Sequence, residues 1–196
     1  MMKSIGLGLV LALSAVSAQA ATIFFDNFDA NNYALETTPS GWTLNSGSVD
    51  IVGDGNYAWY GAGNYIDMNG INPGSISHSI TGLVIGQMYA LSFDVGFNNG
   101  SGSNEQLSFS IGSLAGSHGA PIQSTASTFL HLTYSFIAGA ATETLTFADT
   151  GPTTGDMGGP VLDNVMVSTT PVPLPAGGLL LLTGLGGIFA LRRRKA

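Results

Sequence analysis

Between residues 4 and 191, this chain of 196 residues contains no lysine and no arginine. Its five cations are Lys3 and the run from Arg192 to Lys195, whereas all twelve acids lie between Asp26 and Asp163. The middle of the chain therefore has a formal charge of −12 with histidine neutral. This composition argues against a nucleic-acid partner, because nucleic-acid binding depends on cations that neutralise phosphates. A carboxylate buried there must be satisfied by backbone N–H groups, a histidine or a metal ion.

Cysteine is also absent, which excludes disulfides, a cysteine nucleophile and cysteine-based metal sites. No Gly-x-Ser-x-Gly motif is present, and His78, His118 and His131 lie in no His-Glu-x-x-His pattern. His131 falls on the polar phase of a predicted strand, so we expect it to face solvent. We therefore predict that the protein is not an enzyme. A Ser-His-Asp triad, or a carboxylate pair that hydrolyses polysaccharide, stays open as the alternative.

The first segment, residues 1–20, is typical of a secretory signal peptide. Lys3 provides a positive start, Ile5–Val16 is apolar, and Ala18-Gln19-Ala20 is a small-residue cleavage site. We expect export by Sec-type machinery and cleavage by signal peptidase before Ala21. An uncleaved anchor helix is the alternative.

The last 25 residues contain three features in a fixed order. An apolar run over residues 176–191 predicts a transmembrane helix, at the short end of the roughly 17–25 residues that such helices use. A basic stop follows it and favours a cytoplasmic C-terminus, and it consists of Arg192, Arg193, Arg194 and Lys195. A Pro-rich linker over residues 169–175 precedes the apolar run. It contains most of a short motif, which consists of Val172, Pro173, Leu174, Pro175 and Ala176.

This arrangement resembles the PEP-CTERM class of bacterial sorting signals, in the VPLPA-CTERM variant. The resemblance implies membrane anchoring, processing by an exosortase, and delivery to the cell surface or extracellular matrix. A plain C-terminal membrane anchor with residues 192–196 as its basic tail is the alternative.

The central region, residues 21–168, shows the two-residue periodicity of β-strands and no helical periodicity. The clearest strand is Met88–Phe97, in which Tyr89, Leu91, Phe93 and Val95 should face the space between two sheets. The other predicted strands are Ile23–Phe28, Val49–Val52, Tyr57–Tyr60, Tyr65–Met68, Ile76–Ile80, Leu107–Ile111, Leu130–Phe136, one around Leu145 and Phe147, and Val161–Val167. The pattern predicts an all-β, two-sheet sandwich.

The order of several landmarks resembles jelly-roll domains of the galactose-binding-like class, especially DUF642-like "choice-of-anchor" domains. The landmarks are Phe24–Asp29, Gly41-Trp42, Tyr65–Gly70, Ile76–Ile80, Gly86–Asp94 and Leu162–Val165. The resemblance implies a jelly roll of eight to ten strands that binds carbohydrate. The leading hypothesis is thus a binding or structural module of the extracellular matrix that contacts polysaccharide.

Two sets of residues are candidates for binding sites. Tyr57, Trp59, Tyr60 and Tyr65 could stack on sugar rings, or could be ordinary core residues.

Asp163 shares its strand phase with Val161 and Val165, and no cation is available to neutralise it. Calcium would satisfy such a carboxylate. The resemblance implies an ion that joins the first and last strands, with Asp29, Asp163 and, less favoured, Asp26 as ligands. Alternatively, Asp163 caps a turn or faces water.

Overall fold

A computed structural model describes residues 20–53, 55–57, 60–61, 63–97, 105–119, 128–151 and 158–170. One compact unit spans Ala21–Thr170. Its strands are β1 (Thr22–Asp26), β2 (Thr43–Ser46), β3 (Asp50–Gly53), β4 (Asn64–Asp67), β5 (Ser75–Thr81), β6 (Met88–Phe97), β7 (Gln106–Ile111), β8 (Leu114–Gly119), β9 (Leu130–Ile137), β10 (Thr142–Asp149) and β11 (Pro160–Thr169).

The sorting motif, transmembrane helix and basic stop that were predicted lie outside the described residues, as do residues 1–19 of the predicted signal peptide. Within those residues, no helix has the length and apolar character needed to cross a membrane.

The strands form two antiparallel sheets, which confirms the predicted all-β sandwich. One sheet has the order β3-β4-β11-β6-β9, with β1 also paired to β11, and the other has the order β2-β5-β10-β7-β8. Strands β2 and β8 were not predicted, because Thr43–Ser46 and Leu114–Gly119 lack a clear apolar alternation. The strand predicted for Tyr57–Tyr60 was wrong at its two described ends, where both residues lie in turns.

The alternation predicted for β6 is confirmed. Tyr89, Leu91 and Val95 are at most 1% exposed and belong to the main core. Phe93 is fully buried and packs against Phe109 and Phe147 of the facing sheet, with ring centroids 5.1 and 5.0 Å away. Burying one such side chain contributes roughly 1.5–3 kcal/mol, so this strand organises the core.

Strand β11 changes its neighbour part-way along one edge. Near its start, Val161 and Leu162 pair with β4, whereas the residues from Val165 to Ser168 pair with β1. On its other edge, the register with β6 shifts between Asp163 and Met166. Such a bulge bends a strand and re-aims its side chains. The change of neighbour therefore brings the end of β1 and the start of β4 to the middle of β11.

Candidate functional site

A hydrogen-bonded polar network crosses three strands at this bulge. Asp94 of β6 lies opposite Asp163 on one side and opposite His131 on the other. The Asp94 carboxylate accepts a hydrogen bond from His131 Nδ1 at 2.6 Å and another from Asn164 Nδ2 at 2.8 Å. Asn164 has a φ of 48°, a left-handed conformation that asparagine tolerates better than most residues. Asp94 thus fixes both the imidazole of His131 and the amide of Asn164.

His131 projects from this network into solvent, as the sequence predicted, with its side chain 61% exposed. Because Nδ1 faces the Asp94 carboxylate, it carries the proton in this contact. Nε2 then lies on the solvent side, 3.5 Å from Thr133 Oγ1.

Asp163 is the strongly perturbed carboxyl of the network. Burial raises its pKa to about 7, and the negative charges of Asp94, Asp29 and Asp26 act in the same direction. The hydrogen bond from Asn164 N, 2.7 Å from Asp163 Oδ1, opposes this rise without cancelling it. With no lysine or arginine between residues 4 and 191, protonation is one way to relieve the buried charge.

The carboxylates of the other two predicted calcium ligands accept hydrogen bonds from N–H groups of other residues. Asp26 accepts hydrogen bonds from Phe28 N and from Trp42 Nε1, each at 2.8 Å. Asp29 accepts one from Asn64 N at 2.8 Å and another from the side chain of Asn27. In the described part of the chain, no three histidine or acidic side chains are grouped so that they could hold one metal ion.

Asn64, whose backbone N–H donates to Asp29, has a side-chain oxygen that suits a cation. Asn64 is only 8% exposed, and its Oδ1 is buried without a hydrogen-bond partner in the structure. Carboxylate and amide oxygens are the donors that calcium prefers. The chemistry of Asp29, Asn64 and Asp163 therefore fits calcium, although the contacts above satisfy these carboxylates through N–H groups.

The predicted aromatic site divides into buried and exposed residues. Tyr65 is 1% exposed and Tyr60 is 8% exposed, and both pack with Phe129 in a small apolar cluster. Their hydroxyls bind backbone groups of Tyr57 and Phe97. These two tyrosines are therefore interior residues, and the prediction that they offer faces to a ligand is corrected. Trp59 lies outside the described residues.

Tyr57 differs from its neighbours because its ring is 55% exposed. It stacks on Tyr33, which is 39% exposed, with centroids 6.4 Å apart and planes 28° apart. The Tyr57 backbone is left-handed, with a φ of 55°, and its carbonyl accepts the buried Tyr65 hydroxyl at 2.6 Å. Such strain persists where surrounding contacts impose it, and it is frequent at ligand-binding positions. Tyr33 carried no sequence signal, because it lies in the long β1–β2 connection.

The geometry does not favour nucleophilic catalysis. Asp94, His131 and Thr133 follow the order of an acid–base–hydroxyl triad, but the Thr133–His131 contact is long. His131 is the second residue of β9 and Thr133 the fourth, and both pair with β6. Activation of a hydroxyl by a base needs a closer contact, of about 2.6–3.2 Å.

A family model described as "Protein of unknown function (DUF642)" matches residues 26–168. The chain belongs to the DUF642 family. Halomucin of Haloquadratum walsbyi is 30% identical to the DUF642 chain over 177 residues. That alignment covers 78% of the chain and only 2% of the length of halomucin.

Two solved structures resemble the DUF642 fold at low sequence identity. The K3 cleaved adhesin domain of Lys-gingipain from Porphyromonas gingivalis has a TM-score of 0.53 and 14% identity, over 78% of this chain and 100% of that one. The CBM22-1–CBM22-2 tandem domain of Xyn10C from Paenibacillus barcinonensis has a TM-score of 0.50 and 15% identity, over 83% and 48%. This likeness supports a jelly-roll sandwich.

Proposed function

We propose that this DUF642 protein is an exported, non-enzymatic module that binds uncharged polysaccharide through the Tyr33–Tyr57 pair. One observation carries the proposal: two stacked tyrosine rings are exposed on a backbone fixed from below by the buried Tyr65 hydroxyl. An aromatic ring with a polar tip suits the apolar C–H face of a sugar at a half-wetted site. A prearranged ring also loses little conformational freedom on binding.

The charge of the central region supports an uncharged ligand. Its formal charge of −12, with no lysine or arginine between residues 4 and 191, repels anionic polymers. The structural likeness to carbohydrate-binding modules and to an adhesin domain supports binding rather than catalysis. The predicted signal peptide and sorting tail support export across the membrane, processing by an exosortase, and a final location at the cell surface or in the extracellular matrix.

A small polysaccharide hydrolase is the second candidate. Asp94 and Asp163 lie opposite each other, and the raised pKa of Asp163 beside a carboxylate held by His131 is a pattern of acid–base pairs. Against this reading, Asn164 Nδ2 contacts both carboxylates, at 2.8 and 3.3 Å, where a glycosidic bond would have to lie. A reducing-sugar assay separates the two candidates, since a binding module releases none.

We also propose a structural calcium ion for this domain. Asp29 and Asp163 would provide carboxylate oxygens, and Asn64 would provide its buried amide oxygen. Asp26 is less favoured, because its carboxylate already accepts a hydrogen bond from Trp42 Nε1. When bound, calcium would supply positive charge where the chain has none.

Binding to a panel of neutral oligosaccharides tests the main proposal. The full-length chain, immobilised in detergent, is titrated with cellotriose, xylotriose and β-1,4-galactotriose. Tyr57→Ala and Tyr33→Ala should each weaken binding about tenfold, which corresponds to about 1.4 kcal/mol. Thr144→Ala, an exposed change in the other sheet, is the matched control. Unchanged binding by both tyrosine variants would contradict the proposal.

A further inference from the structure

The outer face of the larger sheet carries a row of four paired side chains. Phe25 of β1 lies opposite Met166 of β11, which lies opposite Ser92 of β6, which lies opposite Thr133 of β9. Neighbouring strands are about 4.8 Å apart, so the row is roughly 14 Å long. Phe25 is 53% exposed at one end of it. An exposed aromatic ring, a half-buried thioether and the exposed hydroxyl of Thr133 therefore line a strip as long as a short oligosaccharide, with Ser92 buried beneath it.

The polar network forms the adjacent row on this face. Asn164 directs its amide N–H groups to Asp94 and Asp163, which turns its carbonyl oxygen away from them. His131 likewise uses Nδ1 for Asp94 and keeps Nε2 on its outer side. Neither side chain is left to rotate freely, because Asp94 holds both. The row therefore presents fixed hydrogen-bonding groups beside an exposed aromatic ring.

The Tyr60 ring closes the face beyond this network. It lies directly on Gly96 of β6, so that a Cβ atom at Gly96 would come within 2.4 Å of Tyr60 Cζ. Phe129 stacks on Tyr60, with centroids 4.6 Å apart. These two rings, of which Tyr60 is only 8% exposed, cover the sheet beyond the network and so limit the strip on that side.

We propose that this strip, bounded by Phe25, His131 and Tyr60, is a second glycan-binding site on the protein. The ligand is an uncharged oligosaccharide that lies across β1, β11, β6 and β9. Its hydroxyls donate to the nitrogen of His131 and the amide oxygen of Asn164, and one ring packs on Phe25. An anionic ligand is disfavoured, because Asp94 and Asp163 lie in the row beside the strip and no lysine or arginine lies between residues 4 and 191. The site does not require the Tyr33–Tyr57 pair.

Substitution of the two sites separately tests the proposal. The full-length chain is titrated with cellotriose, xylotriose and β-1,4-galactotriose as Phe25→Ala, His131→Ala, Tyr57→Ala and Thr144→Ala. Unchanged near-ultraviolet circular dichroism establishes folding, which we expect because Phe25 and His131 are both more than half exposed. His131→Gln, which keeps a hydrogen-bonding group near the position of Nε2, should restore part of the binding.

We expect Phe25→Ala and His131→Ala each to weaken binding at the strip about tenfold while the Tyr33–Tyr57 site binds as before, and the Phe25→Ala/Tyr57→Ala double variant to weaken binding at both sites. Loss in the strip variants with no effect of Tyr57→Ala would support this second site and contradict the tyrosine-pair proposal. Folded strip variants that bind as tightly as the unchanged protein would overturn the second site alone. Failure of all three oligosaccharides to bind would overturn both.

Discussion

The hydroxyl of Tyr60 serves both backbone groups of Phe97. It lies 2.6 Å from Phe97 N, from which it accepts, and 2.6 Å from Phe97 O, to which it donates. Strand β9 pairs with β6 only as far as Val95, so Phe97 lies beyond the end of that ladder. A side chain here takes the place of a neighbouring strand.

Tyr60→Phe should therefore destabilise the protein by about 1–3 kcal/mol, because it leaves the buried N–H and C=O of Phe97 without their partner. Urea unfolding measures this change. Tyr33→Phe, which removes a hydroxyl from an exposed ring, is the control and should change little. Equal stability of the two variants would show that water or another group replaces the lost hydroxyl.

Phe93→Ala should cost about 3–5 kcal/mol, because it opens a cavity between the two sheets. Phe25→Ala makes the same chemical change at a side chain that is 53% exposed, and it should cost much less. Comparing the two melting temperatures separates burial from residue type. A small effect of Phe93→Ala would mean that the core collapses around the gap.

The strands that were predicted correctly from the sequence are those that bury one of their two faces. Phe93 and Val95 alternate with polar residues because one side of β6 packs on the facing sheet. This alternation is visible in the sequence. The β2 segment, Thr43–Ser46, has one apolar residue, so its pairing with β5 left no pattern to recognise.

The candidate sites were less accessible to sequence reasoning. Tyr57 and Tyr65 lie in one short segment of similar composition, yet a left-handed turn exposes the first while β4 buries the second. Asp94 and His131 are 37 residues apart and meet only through the register of β6 and β9. The phase of Asp163 could not be read from the sequence, because the bulge breaks the alternation: Val165 packs in the main core, whereas Asp163 lies opposite Asp94.

In EDTA, stability should fall as the pH rises from about 4 to about 7. The folded-state pKa of Asp163, about 7, exceeds its ordinary value of 3.8, so the folded chain holds a proton that the unfolded chain releases in this window. Burial and the charges of Asp94, Asp29 and Asp26 cause this difference. Asp163→Asn should flatten the profile of melting temperature against pH. An equally steep profile in that variant would assign the effect to another group.

Millimolar calcium should reverse the trend. The ion binds ionised carboxylates, so its stabilising effect grows as Asp163 loses its proton. The melting temperature should then be higher than in EDTA near pH 8, and the difference should shrink near pH 5. Asn64→Ala should reduce the calcium response without removing a titrating group. Identical melts in EDTA and in calcium at every pH would remove the calcium proposal and leave the proton linkage intact.

The sorting tail gives a prediction that needs only mass measurement. Protein released from cells should lack Arg192–Lys195, because cleavage is expected within or near residues 172–176. A host without an exosortase is the control and should retain the full tail. Recovery of the intact C-terminus from the culture supernatant of a host that has the enzyme would contradict the prediction.

The two ends of the domain are joined side by side, with consequences for how it carries load. Ala21 donates to Thr169 Oγ1 at 2.8 Å and accepts from Thr169 N at 2.9 Å, so β1 begins where β11 ends. Tension between these two ends would open the β1–β11 ladder one hydrogen bond at a time. Tension from the C-terminal end to a bound ligand would instead pull β11 along its axis, between β1 and β6. The hydrogen bonds of both ladders would then have to break together, so resistance to force depends on where the protein is attached.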